Sequence, residues 1–330
     1  MDASESPTSS GLPTPLRAKV VYLDQNKWVE LAQAAKSPKV YPVARGILEI
    51  LCAGVEAGSV RLPLTSTNIY ETHKVNRREQ RWDLAYTQTT LSKGEVFRGF
   101  HRRLEVEIGR VLSRIYNLPW TEPAPDWVFS NLFFEATAEA KDPRLGREIS
   151  DRVLGFMHAE PQRTLFHYLM NTPEPVRKQS IREFTQGCET LRTQIEERRA
   201  RHKAESISMR RKIYSVLLVM GEQDVMIATA TKLGLPWNCF MDKGGATMRA
   251  VVRETPAFLI EREVSLKLEA ENRPIHLNDI RDMRTFATVL PYSDIVVAEK
   301  PFTNLARQAG LHTHFGVQLE TDLQALRELL

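Results

Sequence analysis

Residues 274–300, PIHLNDIRDMRTFATVLPYSDIVVAEK, decide how the chain folds. They read as a polar approach, a short helix and a hydrophobic strand. Residues 295–298 (IVVA) form an unbroken apolar run, the pattern of a parallel strand buried on both faces. That strand delivers Glu299 at its C-terminal end, next to Lys300. The helix start carries Asn278, Asp279 and, one turn further on, Asp282. Open α/β sheets build their sites at the C-terminal ends of strands. Carboxylates from a helix start and a strand end make half of a metal site, and the other half should lie elsewhere in the chain.

It lies near the start. In KVVYLDQNKWVELAQ, from Lys19, Val20–Leu23 form a short buried-type strand that ends in Asp24. An apolar rhythm through Trp28, Leu31 and Ala32 then begins a helix. Pro42 opens a second helix, suited to a first turn, and Gly58 stops it. VRLPLTST (60–67) is expected as a second strand and NIYETHKVNRREQR as a helix that carries Glu71, capped by Thr67 or Asn68. Strand–helix–helix–strand–helix is an α/β pattern. Residues 80 to about 270 are helical in period instead, with a Pro/Trp-rich bend at LPWTEPAPDW and a long helix from about Val176 to Met220. After Glu299 the chain reads helix, strand (HFGVQL) and closing helix. The expected organisation is a disordered tail (1–18), an α/β half (19–80), a helical insertion (81–271) and a second α/β half (272–330).

Composition bounds the function. With 42% hydrophobic and 26% charged residues the 330-residue chain is an ordinary globular protein. No apolar run reaches the roughly 18 residues of a membrane span, and the first 18 residues lack the pattern of a signal peptide. Cys52, Cys188 and Cys239 are scattered and odd in number, which points to a reducing cytoplasm and away from a thiolate metal site. A net charge of +4 and a pI near 8.9 are compatible with a nucleic-acid partner. No Gly-rich phosphate loop is present.

Asp24, Glu71, Asp279, Asp282 and Glu299 are the candidate ligands. All fall at strand ends or on helices that a parallel sheet gathers at one edge. Hard cations such as Mg²⁺ and Mn²⁺ prefer carboxylate oxygens, and two such ions serve phosphodiester cleavage. Clustered acids also repel one another, so the group is costly without a cation. Residues 224–242, DVMIATATKLGLPWNCFMD, repeat the acid–helix–strand–acid pattern and make Asp224 and Asp242 rival third and fourth acids. The later copy leads straight into a fitting helix–strand–helix, which favours it.

VYLDQNKW, the STNIYETHK helix start and LNDIRDM…LPYSDIVVAEK resemble the bacterial PIN-like nucleases, in a branch with a long central helical insertion. The resemblance covers roughly residues 19–80 and 272–330. It implies a three-layer α/β/α sandwich around a mainly parallel sheet, and Mg²⁺- or Mn²⁺-dependent cleavage of single-stranded or structured RNA in the cytoplasm. By the same resemblance Asp24, Glu71, Asp279 or Asp282, and Glu299 are the acids. Ala298–Glu299–Lys300 departs from the family's Thr–x–Asp, which keeps open a binding-only module; a flap-type DNase is a second alternative. The insertion is expected to shape the RNA groove, bind a protein partner or support a homo-oligomer.

Other residues read more plainly. Asp294 precedes its strand and belongs at the opposite edge, in a cap or a buried hydrogen bond. Asn278 is expected to cap its helix. The basic run 192–212 is a solvated helix face or, on the sharper reading, a phosphate contact. Trp120, Trp127 and Trp237 are core residues before they are stacking platforms, and His312 and His314 lack a metal-ligand pattern.

Overall fold

A computed structural model describes residues 17–140, 149–236, 244–271 and 273–330. Most of the expected tail lies outside the described residues, as do Trp237, Cys239 and Asp242. The architecture is α/β. Four parallel strands in the order β2-β1-β5-β6 form the central sheet: β1 (Lys19–Leu23), β2 (Val60–Arg61), β5 (Ile295–Val297) and β6 (Gln318–Glu320). A second, two-stranded antiparallel sheet joins β3 (Val96–Phe97) to β4 (Phe129–Ser130).

β1 alternates between the two faces of the sheet. Val20 and Tyr22 join one buried cluster with Val296 and the helices α8 (Glu174–Arg201), α12 (Pro256–Ala270), α13 (Leu277–Val289) and α14 (Lys300–Gln308). Val21 and Leu23 join another with α1 (Gln25–Lys36), α2 (Pro42–Glu56), α4 (Arg78–Ser92) and α7 (Pro161–Asn171). Helices therefore cover both faces, which explains why the strands read as continuous apolar runs. Helices from between β2 and β5 contribute to both clusters. A third cluster, of α5 (Phe100–Tyr116), α9 (Ile207–Gly221), α10 (Gln223–Lys232), α11 (Gly244–Glu254) and the start of α12, stands away from the sheet.

Three expected helices are broken, each for a local reason. The helix with Glu71 is α3 (Ser66–Lys74), and it stops before α4. Two arginines take carbonyls at its end: Arg177 donates to His73 O at 2.6 Å and Arg81 to Val75 O at 2.7 Å. Its cap is Thr65, not Thr67 or Asn68, in a reciprocal box with Asn68. Strand β2 is correspondingly shorter than 60–67. The stretch from Leu91 breaks at Lys93 and Gly94, both with positive φ. A side chain at Gly94 would meet the Pro161 backbone at 2.4 Å, so the close approach of α7 requires glycine there. The long 176–220 helix is two, α8 and α9, and Ser206 caps the second by accepting from Met209 N.

Part of the basic run is spent on the fold itself, while Arg201, Lys203 and Lys212 stay on the exposed face. Arg198 lies over the Tyr214 ring and donates to its hydroxyl, Arg199 donates to the Glu271 and Arg273 carbonyls, and Arg210 and Arg211 pair with Glu269 and Glu263. It ties α8 and α9 to α12 and its exit. Trp127 packs against the core, edge-on to Tyr292. Among the described residues no single helix is long and apolar enough to cross a membrane; the bent pair α9–α10 passes by length and composition alone.

Asp294 behaves as read. Its carboxylate accepts from Val20 N at 2.7 Å, closing the N-terminal end of β1 against the start of β5. Asp294→Ala leaves that amide without its acceptor and should cost about 1–3 kcal/mol, whereas Asp294→Asn should cost less. Urea unfolding checks this, with a lower midpoint and an unchanged slope expected.

Candidate metal centre

Parallel pairing of Val21, Tyr22 and Leu23 with Ile295, Val296 and Val297 brings Asp24 and Glu299 to one edge of the sheet. Asp24 is the N-cap of α1 and accepts from Gln25 N at 2.8 Å. Asn26 donates to Glu299 Oε1 at 3.1 Å, joining the first turn of α1 to the end of β5. Glu71 comes from α3, with Lys74 one turn away at 3.8 Å. Asp282 comes from α13, which meets α3 through a 3.0 Å hydrogen bond from the Thr285 to the Thr67 hydroxyl. Four carboxylates from distant segments thus face one region.

Their mutual influence is visible in their proton affinities. Burial, then the charges of Asp24, Glu299 and Glu71, push Asp282 up to about 8. Burial, with Glu71 and Glu299 adding to it against the Gln25 amide, pushes Asp24 up to about 6. Burial also raises Glu71, opposed by Lys74 and Arg281. Among the described residues no hydrogen-bond donor or cation pairs with the Asp282 carboxylate. Asp282 is half-buried, and a carboxylate that has lost much of its water without gaining a partner is costly unless something compensates it.

Asp279, one turn earlier, has a different task. It accepts from Arg273 Nη1 and Nη2 at 2.7 and 2.9 Å and from His276 N at 2.7 Å. Burial alone would raise it, but these donors and the Arg273 charge hold it below the usual carboxylate range. His276 and Asp279 form the capping box of α13, so Asn278 is not the cap; it accepts from Arg281 instead. Asp282 is therefore the α13 carboxylate free for a ligand. Of the rival pair, Asp224 lies exposed in the first turn of α10. The strand beside β1 is the one ending at Glu299.

A set of polar residues that the sequence reading passed over holds this edge together. Gln25 Nε2 donates to Thr72 Oγ1 (3.0 Å), Thr72 Oγ1 to Gln88 Oε1 (2.8 Å) and Gln88 Nε2 back to Gln25 Oε1 (3.2 Å). Asn68 Nδ2 also donates to Gln25 Oε1, at 3.3 Å. This closed ring locks the residue after Asp24 to the residue after Glu71. The one sequence signal was the polar i,i+4 pair Asn68 and Thr72 on α3. Beneath, Tyr22 is fully buried, its hydroxyl without a hydrogen-bond partner, while the neighbouring Thr65 hydroxyl is committed to Asn68.

Among the described residues no three His, Cys, Asp or Glu side chains have the spacing of a preformed metal site. The four acids interact by charge without closing to ligand distances. Their chemistry nevertheless fits a hard divalent cation: oxygen donors only, three of them with raised proton affinity and one without any partner. Comparison of the chain with protein-family models, with curated proteins and with solved structures gives no match.

The raised acids fix the sign of a pH dependence. An unfolded Asp titrates near 3.9, so between about pH 4 and pH 8 the folded state binds more protons than the unfolded one. Stability then falls as pH rises through that window. In EDTA the melting temperature should drop between pH 5.5 and 8.5, and Asp282→Asn should flatten that drop. Mn²⁺ should restore the wild type at pH 8 and the variant much less, as thermal unfolding will read.

Proposed function

We propose that the protein is a PIN-like, metal-dependent endoribonuclease whose helical segment 81–271 is an insertion in a three-layer α/β/α sandwich. The observation that carries this reading is the gathering of Asp24, Glu71, Asp282 and Glu299 at the C-terminal edge of the parallel sheet, with Asp282 left without a partner. These four would hold one or two Mg²⁺ or Mn²⁺ ions. When bound, such ions supply activation of a water and charge for the leaving oxygen in phosphodiester hydrolysis. The chain's own residues set the geometry. The Gln25–Thr72–Gln88 ring fixes the spacing between the α1 and α3 acids, and Asn26 orients Glu299. Raised proton affinity keeps Asp24 and Asp282 ready to exchange protons for a cation near neutral pH.

Cleavage of a mixed-sequence single-stranded RNA with Mn²⁺ tests the proposal. Cleavage should be lost in EDTA and in Asp24→Asn, with circular dichroism unchanged. Metal-independent, salt-sensitive RNA binding without cleavage would make the protein a binding module instead, and preference for flapped DNA would make it a DNase. The two α13 acids should separate cleanly. Asp282→Asn should lower cleavage by at least a hundredfold and leave the melting temperature equal or higher in EDTA. Asp279→Ala should lower the melting temperature, because it removes the cap and the Arg273 pair, while cutting activity far less.

A further inference from the structure

A cavity of about 500 Å³ opens on the other side of the α3–α13 contact, between those helices, the β3–α5 turn, α8, α9 and α12. This lies within the roughly 300–1,000 Å³ of small-molecule sites. Tyr70 and Phe184 line it as a stacked pair, with ring centroids 4.5 Å apart and planes inclined by 25°. Glu222, Glu261 and Arg284 also line it. Among the described residues no donor reaches either carboxylate and no acid pairs with Arg284, so the three act on one another by charge across open space. Burial and the Glu261 charge push Glu222 up to about 7, and burial raises Glu261 against Arg284 and Arg198. Two acids and an arginine left unmatched around a cavity with an aromatic wall suit a ligand that brings both donors and an acceptor.

The cavity is continuous in sequence with the acid cluster. Tyr70 precedes Glu71 on α3, and Arg284 follows Asp282 by two on α13. We propose that it is a base-reading pocket for guanine in single-stranded RNA: Glu261 accepts from guanine N1–H and N2–H₂, Arg284 donates to O6, and Tyr70 with Phe184 supplies the stacking face. Single-stranded RNA is read by such splaying, stacking and hydrogen bonding of the Watson–Crick edge. Guanine alone among the four bases offers a carboxylate two adjacent N–H donors beside an acceptor for arginine. Uracil flanks its single N–H with carbonyls, which the carboxylates repel. Adenine and cytosine present an amino group next to a bare ring nitrogen. Glu222, beside Glu261, sharpens the preference, because two acids without a donor are costly to keep together. The pocket rests on the ribonuclease reading for its substrate.

Isothermal titration of the full chain in EDTA with the 5′-monophosphates of guanosine, inosine, adenosine, cytidine and uridine tests it without using cleavage. Guanosine monophosphate should bind at least tenfold tighter than the adenosine, cytidine and uridine compounds. Inosine monophosphate, which lacks the 2-amino group, should bind about tenfold more weakly than guanosine monophosphate, the effect of one charge-assisted hydrogen bond. Glu261→Gln should remove the guanine preference without lowering the melting temperature, and Tyr70→Leu should weaken all five nucleotides. Equal binding of the five, no binding of any, or an unchanged preference in a folded Glu261→Gln overturns the pocket. Asp24→Asn should bind guanosine monophosphate like the wild type. Selective binding without Mn²⁺-dependent cleavage would leave the pocket standing and remove the ribonuclease; cleavage without selectivity would do the reverse.

Discussion

Three residue pairs carry the molecule. Val21, Tyr22 and Leu23 lie beside Ile295, Val296 and Val297, and this parallel pairing joins the first described strand to one nearly the whole chain away. Everything at the acid edge follows from that register. It sets Asp24 next to the end of β5, lets Asn26 reach Glu299, and gives α13 a sheet face to pack on. A one-residue slip would exchange the faces of β1. Tyr22 would then leave the α13 side, and the two halves of the acid cluster would lose their common edge.

The register is held from both ends. At the far edge, the Asp294 carboxylate and the Val20 amide clamp β1 to the start of β5. At the near edge, the amide ring of Gln25, Thr72 and Gln88 ties α1 to α3 and α4. Buried polar rings of this kind are favourable only when every member is satisfied, and here each donor finds an acceptor. The ring offsets, in geometry, what the neighbouring acids cost by repulsion. The carboxylates stay in one region because the elements that carry them are fixed by the strand register and by the ring.

Much of this was legible in the chain itself. IVVA before Glu299 and VVYL before Asp24 announce buried parallel strands, because strands covered on both faces lose the polar alternation of half-exposed ones. Asp294 was legible for the same reason: a strand with a known direction has a known wrong end. The choice between Asp279 and Asp282 was not legible. They are one turn apart on a single face, and what separates them is Arg273, a residue outside the helix that takes hold of the first. The helix breaks were hidden likewise, since the Val75 carbonyl is taken by Arg81 and the His73 carbonyl by Arg177. The Gln25 ring joins three segments through side chains whose individual types are unremarkable, so only the folded arrangement reveals it. The basic run near 192–212 is partly the solvated face it looked like and partly an internal brace through Arg198, Arg199 and Arg210.

The same long-range strand pairing has a consequence in time. Contacts between residues far apart in sequence require the closing of a large loop before they return any stabilisation, which slows folding. The third cluster also joins distant segments, α5 packing on α10 and α11 from much later in the chain, so more than one large loop must close before the fold is complete. The acid edge waits on the longer closure, because it needs both β1 and β5. During synthesis Asp24 and Glu71 emerge early but stay without their α13 and β5 counterparts until nearly the whole chain has left the ribosome. The four acids are therefore neighbours only in the finished fold, once β5 lies beside β1.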